Sequence, residues 1–157
     1  MHISSSKLLK AGLFVGTLDI LAAFLYFYSK TGKDPLRVLT FIASGVFGKS
    51  AFSGGAEMML AGLVLHYIIA FAFALVFFWL FPRLKELVKL NLLTGIVYGI
   101  VIWMVMNLVV VPLSNVSKQP FQWNTALINI LILIACMGIP LSVMANSYYK
   151  KTERVVQ

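Results

Sequence analysis

Polar residues are so sparse in four stretches of this chain that a helix built from any of them would have no face to offer water. The stretches run at about 11–28, 56–81, 90–113 and 123–149. Each holds roughly 18 or more apolar or small residues, enough for a helix to cross ~30 Å of hydrocarbon at ~1.5 Å per residue. Their only carboxylates are Asp19 and Glu57, and their only imidazole is His66. A helix in water needs a polar stripe, and these segments lack one. The pattern predicts an all-α integral membrane protein with four transmembrane helices, forming one domain over residues 1–157.

The connections have patterns of their own. Asp34-Pro35 reads as an N-cap followed by a proline at the first helical position. Leu36, Leu39, Ile42, Ala43 and Val46 then recur at helical spacing. This predicts a short amphipathic helix over about 35–47 in the first loop, lying on the outer leaflet or dipping into it. The second loop, Pro82–Lys89, is short and basic. The third, Ser114–Gln122, is polar and contains Pro120, and the tail from Lys150 is charged.

Composition changes the picture in two ways. The net charge of +8 would point to nucleic acid in a soluble chain. Here the basic residues flank the spans, where they meet anionic headgroups and set topology, so no nucleic-acid partner is expected. Lys7, Lys10, Arg83, Lys85, Lys89, Lys150, Lys151 and Arg154 fall on one side, and Lys30, Lys33, Arg37, Lys49 and Lys118 on the other. Eight against five places both termini in the cytoplasm. Lys7 and Lys10 precede an apolar stretch as in a signal peptide. The stretch is long, however, and has no small-x-small cleavage site, so it is expected to stay as the first span. Cys136 is the single cysteine, which leaves no disulfide framework or thiolate metal site. Neither a metal nor a cofactor is expected.

Candidate chemistry is limited to a few intramembrane polar groups. Asp19 lies ~12 Å into the first span, where an ionised carboxylate costs several kcal/mol unless paired, hydrated or protonated. Gly12, Gly16, Asp19 and Ala23 share one helix face. His66 lies ~15 Å from the outer end of the second span, at a similar depth, with Gly62 and Ala70 on its face. An Asp19–His66 pair is therefore geometrically possible. A lone intramembrane histidine more often bonds a neighbouring helix than a ligand. Asn107, Asn124 and Asn129 make a second polar level in the outer half, for which interhelical amide bonds are the ordinary explanation. Pro112 and Pro140 interrupt the ends of the last two spans. Gly12-x-x-x-Gly16 and Gly95-x-x-x-Gly99 permit close helix packing, within the chain or between copies, and hint at two similar halves. Residues Ala43 to Ser50 match a permissive phosphate-loop pattern, but no strand precedes them, and Lys49 is expected to meet lipid phosphate instead.

The block His66-Tyr67-Ile68-Ile69-Ala70-Phe71-Ala72-Phe73-Ala74, then Phe81-Pro82-Arg83-Leu84-Lys85, Gly95 to Gly99 and Pro112-Leu113, resembles the YagU-like family of bacterial inner-membrane proteins. The resemblance covers about residues 60–115. It implies an inner-membrane location and carries no established activity.

Three functions follow as expectations. The first is a small non-enzymatic inner-membrane protein that binds lipid or partner helices, as an oligomer, and it needs an exposed Gly/Ala groove. The second is a transporter or channel subunit in which Asp19 and His66 handle protons or a small solute. It needs a cavity joining Asp19 to Asn107. The third is an enzyme acting on lipid or quinone, disfavoured because no Ser/His/Asp set or carboxylate pair is present.

Overall fold

The computed structural model describes residues 5–87, 91–117 and 120–155. The described chain is all-α. Helix α1 spans Ser5–Thr31, α2 spans Arg37–Phe47 and α3 spans Gly55–Leu87. Helix α4 covers 91–113 and α5 covers 123–155, each crossing one π-helical turn, at Met106–Val110 and Ile134–Gly138. Four of these helices are long and apolar enough to cross a membrane. Leu25, Leu60, Ile68, Leu108 and Leu131 point outward and are more than half exposed. Water would not tolerate so continuous an apolar exterior, and lipid does. The chain is a multi-pass membrane protein.

The helices overrun the predicted spans. α1 begins before the apolar run and ends where Gly32, at φ +64°, bonds back to the Tyr28 carbonyl. α3 runs through Pro82, which was expected to open a loop, and Arg83 lies 5.0 Å from the centre of the Trp79 ring. Residues 88–90 and Lys118, where the basic turn and part of the third loop were expected, lie outside the described residues. The charged C-terminal tail from Lys150 continues as helix to Val155.

Pro112 and Pro140 account for the π turns. A proline lacks the N–H for its own helical bond and crowds the carbonyl four residues back. The chain relieves this by widening one turn beforehand: Val111 N–H reaches the Met106 carbonyl and Ile139 N–H the Ile134 carbonyl, each five residues back. The helices bend their hydrogen bonding without ending.

Glycines set the packing in both halves. Gly12 and Gly16 lie against Phe71, Tyr67 and Ala70 of α3, and a Cβ at Gly16 would stand 3.1 Å from the Ala70 Cβ. Gly95 and Gly99 lie against α5, where Gly95 meets Gly138 backbone to backbone and Gly99 meets Ile134. Each pair thus joins the first helix of a half to the second. All four are buried within the chain, so they offer no groove to a partner helix.

The bundle is solid at one end and hollow at the other. The solid end, where Lys7 of α1 sits over the Tyr148 ring of α5, packs Phe77, Phe78, Phe81, Tyr98, Leu141 and Tyr149. Tyr98 and Tyr149 satisfy their hydroxyls on the Phe73 and Phe78 carbonyls, at 2.7 and 2.8 Å. The hollow end is covered by α2.

Helix α2 starts two residues later than expected. Asp34 still caps the turn, its Oδ1 accepting the Leu36 N–H at 2.9 Å. Its inward face matches the predicted one in part: Leu39 and Ala43 are buried and Ile42 faces the bundle, Thr40 and Ser44 are buried beside them, and Leu36 and Val46 are exposed. Thr40 and Ser44 can be buried because their hydroxyls bond to the Arg37 and Phe41 carbonyls. The Leu39 carbonyl rests directly on Gly62 of α3, which no side chain would permit. At the other end Asn115 closes the helix, giving its backbone N–H to the Gly45 carbonyl and its side-chain amide to the Val46 carbonyl, both at 2.9 Å. Residues 43–50 form the end of α2 and a 3₁₀ turn, with no strand before them, so they build no phosphate loop.

Candidate functional site

A cavity of about 420 Å³ lies beneath α2. Asp19, His66, Asn107 and Asn129, one from each long helix, all line it. Asn124 does not. It lines a separate open pocket with Lys30, Gln122 and Thr125, where the Lys30 ammonium donates to Thr125 Oγ1 at 2.7 Å. Tyr26 borders both spaces.

His66 is fixed by the small-residue face that the sequence displays. Gly62 admits α2 on one side of it and Ala70 meets Gly16 on the other, so α1 and α3 come close enough for the ring to reach main chain. His66 Nε2 donates to the Gly16 carbonyl at 2.8 Å. A carbonyl only accepts, so this bond puts a proton on Nε2 and leaves Nδ1 as the nitrogen that can gain or lose one.

Asp19 lies one turn further along α1 and is half-buried, within electrostatic range of His66. The predicted contact pair is not made: among the described residues no hydrogen bond or ion pair links the two side chains. His66 has committed its Nε2–H to the Gly16 backbone. The two groups instead share one cavity and interact through it. Asn107 turns its amide back to the Trp103 carbonyl at 2.9 Å, beside the π turn of α4, and is exposed, so the cavity reaches the protein surface there. Asn129 enters from α5, below the start of that helix.

The remaining walls are apolar or aromatic. Val38, Phe41 and Ile42 form the roof, and Phe27, Phe73 and Trp103 form much of the sides. Trp103 Nε1 is buried and has no hydrogen-bond partner among the described residues. Neither lysine nor arginine is among the lining residues, nor is serine, threonine or cysteine. No group of three metal-ligating side chains occurs among the described residues.

The sequence reading missed the roof, Trp103 and the two π turns. A signal for the turns was present: Val111-Pro112-Leu113 and Ile139-Pro140-Leu141 repeat the same placement in two successive spans. No family profile, curated protein or solved structure matches this chain.

Proposed function

We propose that this is a non-enzymatic carrier or transporter subunit that takes a small, largely apolar solute into the cavity under α2. The carrying observation is that one cavity joins Asp19 and His66 to Asn107 and Asn129. A mostly apolar space with a few convergent polar groups is the usual form of a small-molecule site. Burial of all four candidate packing glycines inside the chain weighs against the partner-helix reading. A lining without serine, threonine, cysteine or lysine weighs against the lipid- or quinone-acting enzyme. The YagU-like resemblance and the charge count support a bacterial inner membrane, with both termini cytoplasmic and α2 on the outer side.

Trp103 supplies a direct test. Trp79 and Trp123 are exposed, so Trp79→Phe/Trp123→Phe leaves Trp103 as the only indole fluorophore with little disturbance. A bromine-bearing probe, 4-bromoneopentylbenzene or its cationic isostere 4-bromobenzyltrimethylammonium, should quench that fluorescence saturably. Linear quenching by both probes, equal to that of free indole in the same detergent, would remove the reading.

Topology has its own test. A reporter active only outside the cytoplasm should be silent at either terminus and active when inserted beside Lys33. Activity at the C-terminus would reverse the orientation.

A further inference from the structure

We propose that the solute is an organic monocation and that it enters the cavity in exchange for one proton held by Asp19 and His66. This rests on the reading of the cavity as a solute site. Among the lining residues Asp19 is the single carboxylate, and no lysine or arginine stands beside it. Tyr26, Phe27, Phe41, Phe73 and Trp103 turn the same space into an aromatic-walled one. Aromatic faces attract cations, most strongly those with weakly hydrated, alkyl-covered charge. Lys30 lies 5.5 Å from the centre of the ring of Tyr26, itself two turns from Asp19, and does not line the cavity, so an anion beside Asp19 would meet a carboxylate and ring faces.

Charge balance sets the stoichiometry. A cavity walled mostly by apolar side chains disfavours a net charge. Asp19 and His66 together are neutral when they hold one titratable proton, either as acid and neutral imidazole or as carboxylate and imidazolium. His66 Nε2–H is committed to the Gly16 carbonyl, so the exchanging proton belongs to the Asp19 carboxyl or to His66 Nδ1. When a monocation enters, neutrality is kept if that proton leaves to solvent: the O–H or N–H bond breaks, its electron pair stays on oxygen or nitrogen, and Asp19 remains as carboxylate facing the cation. No bond forms to the solute and no electron is transferred.

The other groups around Asp19 do not alter the count. From α3 the only titratable group in the lining is His66, and α2 and α4 contribute none. On α5 the Cys136 thiol is within electrostatic range, and a thiol is neutral in its protonated form at ordinary pH. Tyr26 lies two turns away on α1, its hydroxyl accepting from Lys30 at 3.3 Å.

The test is calorimetric titration of the full-length protein with 4-bromobenzyltrimethylammonium, in two buffers of different ionisation enthalpy, alongside the Trp103 quenching assay. About one proton should be released per cation bound, and affinity should rise about tenfold per pH unit until the free protein has lost that proton. The neutral isostere 4-bromoneopentylbenzene should bind with no release and no pH dependence. Asp19→Asn should lose the release and the preference for the cation while still binding the neutral probe. Asp19→Glu and His66→Gln each keep a carboxyl to hold the proton and should keep the release. Equal binding of both probes without proton release would overturn this proposal and leave the solute site standing. Saturable quenching by the neutral probe alone would do the same. Saturable quenching by neither would remove the site itself.

Discussion

Gly138→Leu is expected to unfold the second half of the bundle, lowering stability by about 3 kcal/mol, the upper end of overpacking effects. The position has no room because its neighbour is backbone. A Cβ there would overlap the Gly95 carbonyl oxygen and stand 3.1 Å from the Gly99 nitrogen. A flexible side chain could turn away, but a helix carbonyl cannot without breaking its own hydrogen bond. Thermal unfolding in detergent should fall by roughly 10 °C, scaling from the usual shift per kcal/mol for a chain of this size. Val143→Leu, on the same helix but facing outward, is the control and should be nearly silent. Wild-type stability in Gly138→Leu would mean that α4 and α5 do not meet at these glycines.

This glycine also marks a boundary of what the sequence discloses. The four spans were legible because their length and lack of charge answer a single constraint, the thickness of the hydrocarbon. The placement of Gly12, Gly16, Asp19 and His66 on inward faces was legible as well, because small residues and costly polar groups both avoid lipid. Gly138 was not, since a lone glycine has no spacing, and its partner Gly95 lies on another helix. The inward face of α2 was legible at Leu39, Ile42 and Ala43 but not at its buried hydroxyls, for a related reason. Periodicity treats Thr40 and Ser44 as polar, whereas their hydroxyls are bonded to their own helix and can be buried. The direct Asp19–His66 contact failed because depth arguments ignore the backbone, and the Gly16 carbonyl is the nearer acceptor. What depth did locate was the shared cavity.

Gly62→Val should lift α2 from the bundle while leaving the four long helices assembled. The Leu39 carbonyl occupies the place a Cβ would take. α2 cannot slide to make room, because Asn115 holds the Gly45 and Val46 carbonyls at its far end. An overpacking cost of about 2 kcal/mol, relieved only when α2 is raised, would increase the open population roughly thirtyfold. Ile42→Cys in a Cys136→Ser background places a thiol at the roof of the cavity, and its rate of labelling by a charged maleimide reads that population. Asn115→Ala should raise labelling by a smaller factor, about fivefold for the loss of roughly 1 kcal/mol in one side-chain hydrogen bond. Gly45→Ala should change little, since a Cβ there would find Ser114 no closer than 3.7 Å. If Gly62→Val labels at the wild-type rate, α2 is not seated on α3 and the cavity has no roof. The expected order, Gly62→Val above Asn115→Ala above Gly45→Ala, separates a lid hinged between α3 and the third loop from a helix that merely floats at the membrane surface, because a floating helix would respond to none of the three.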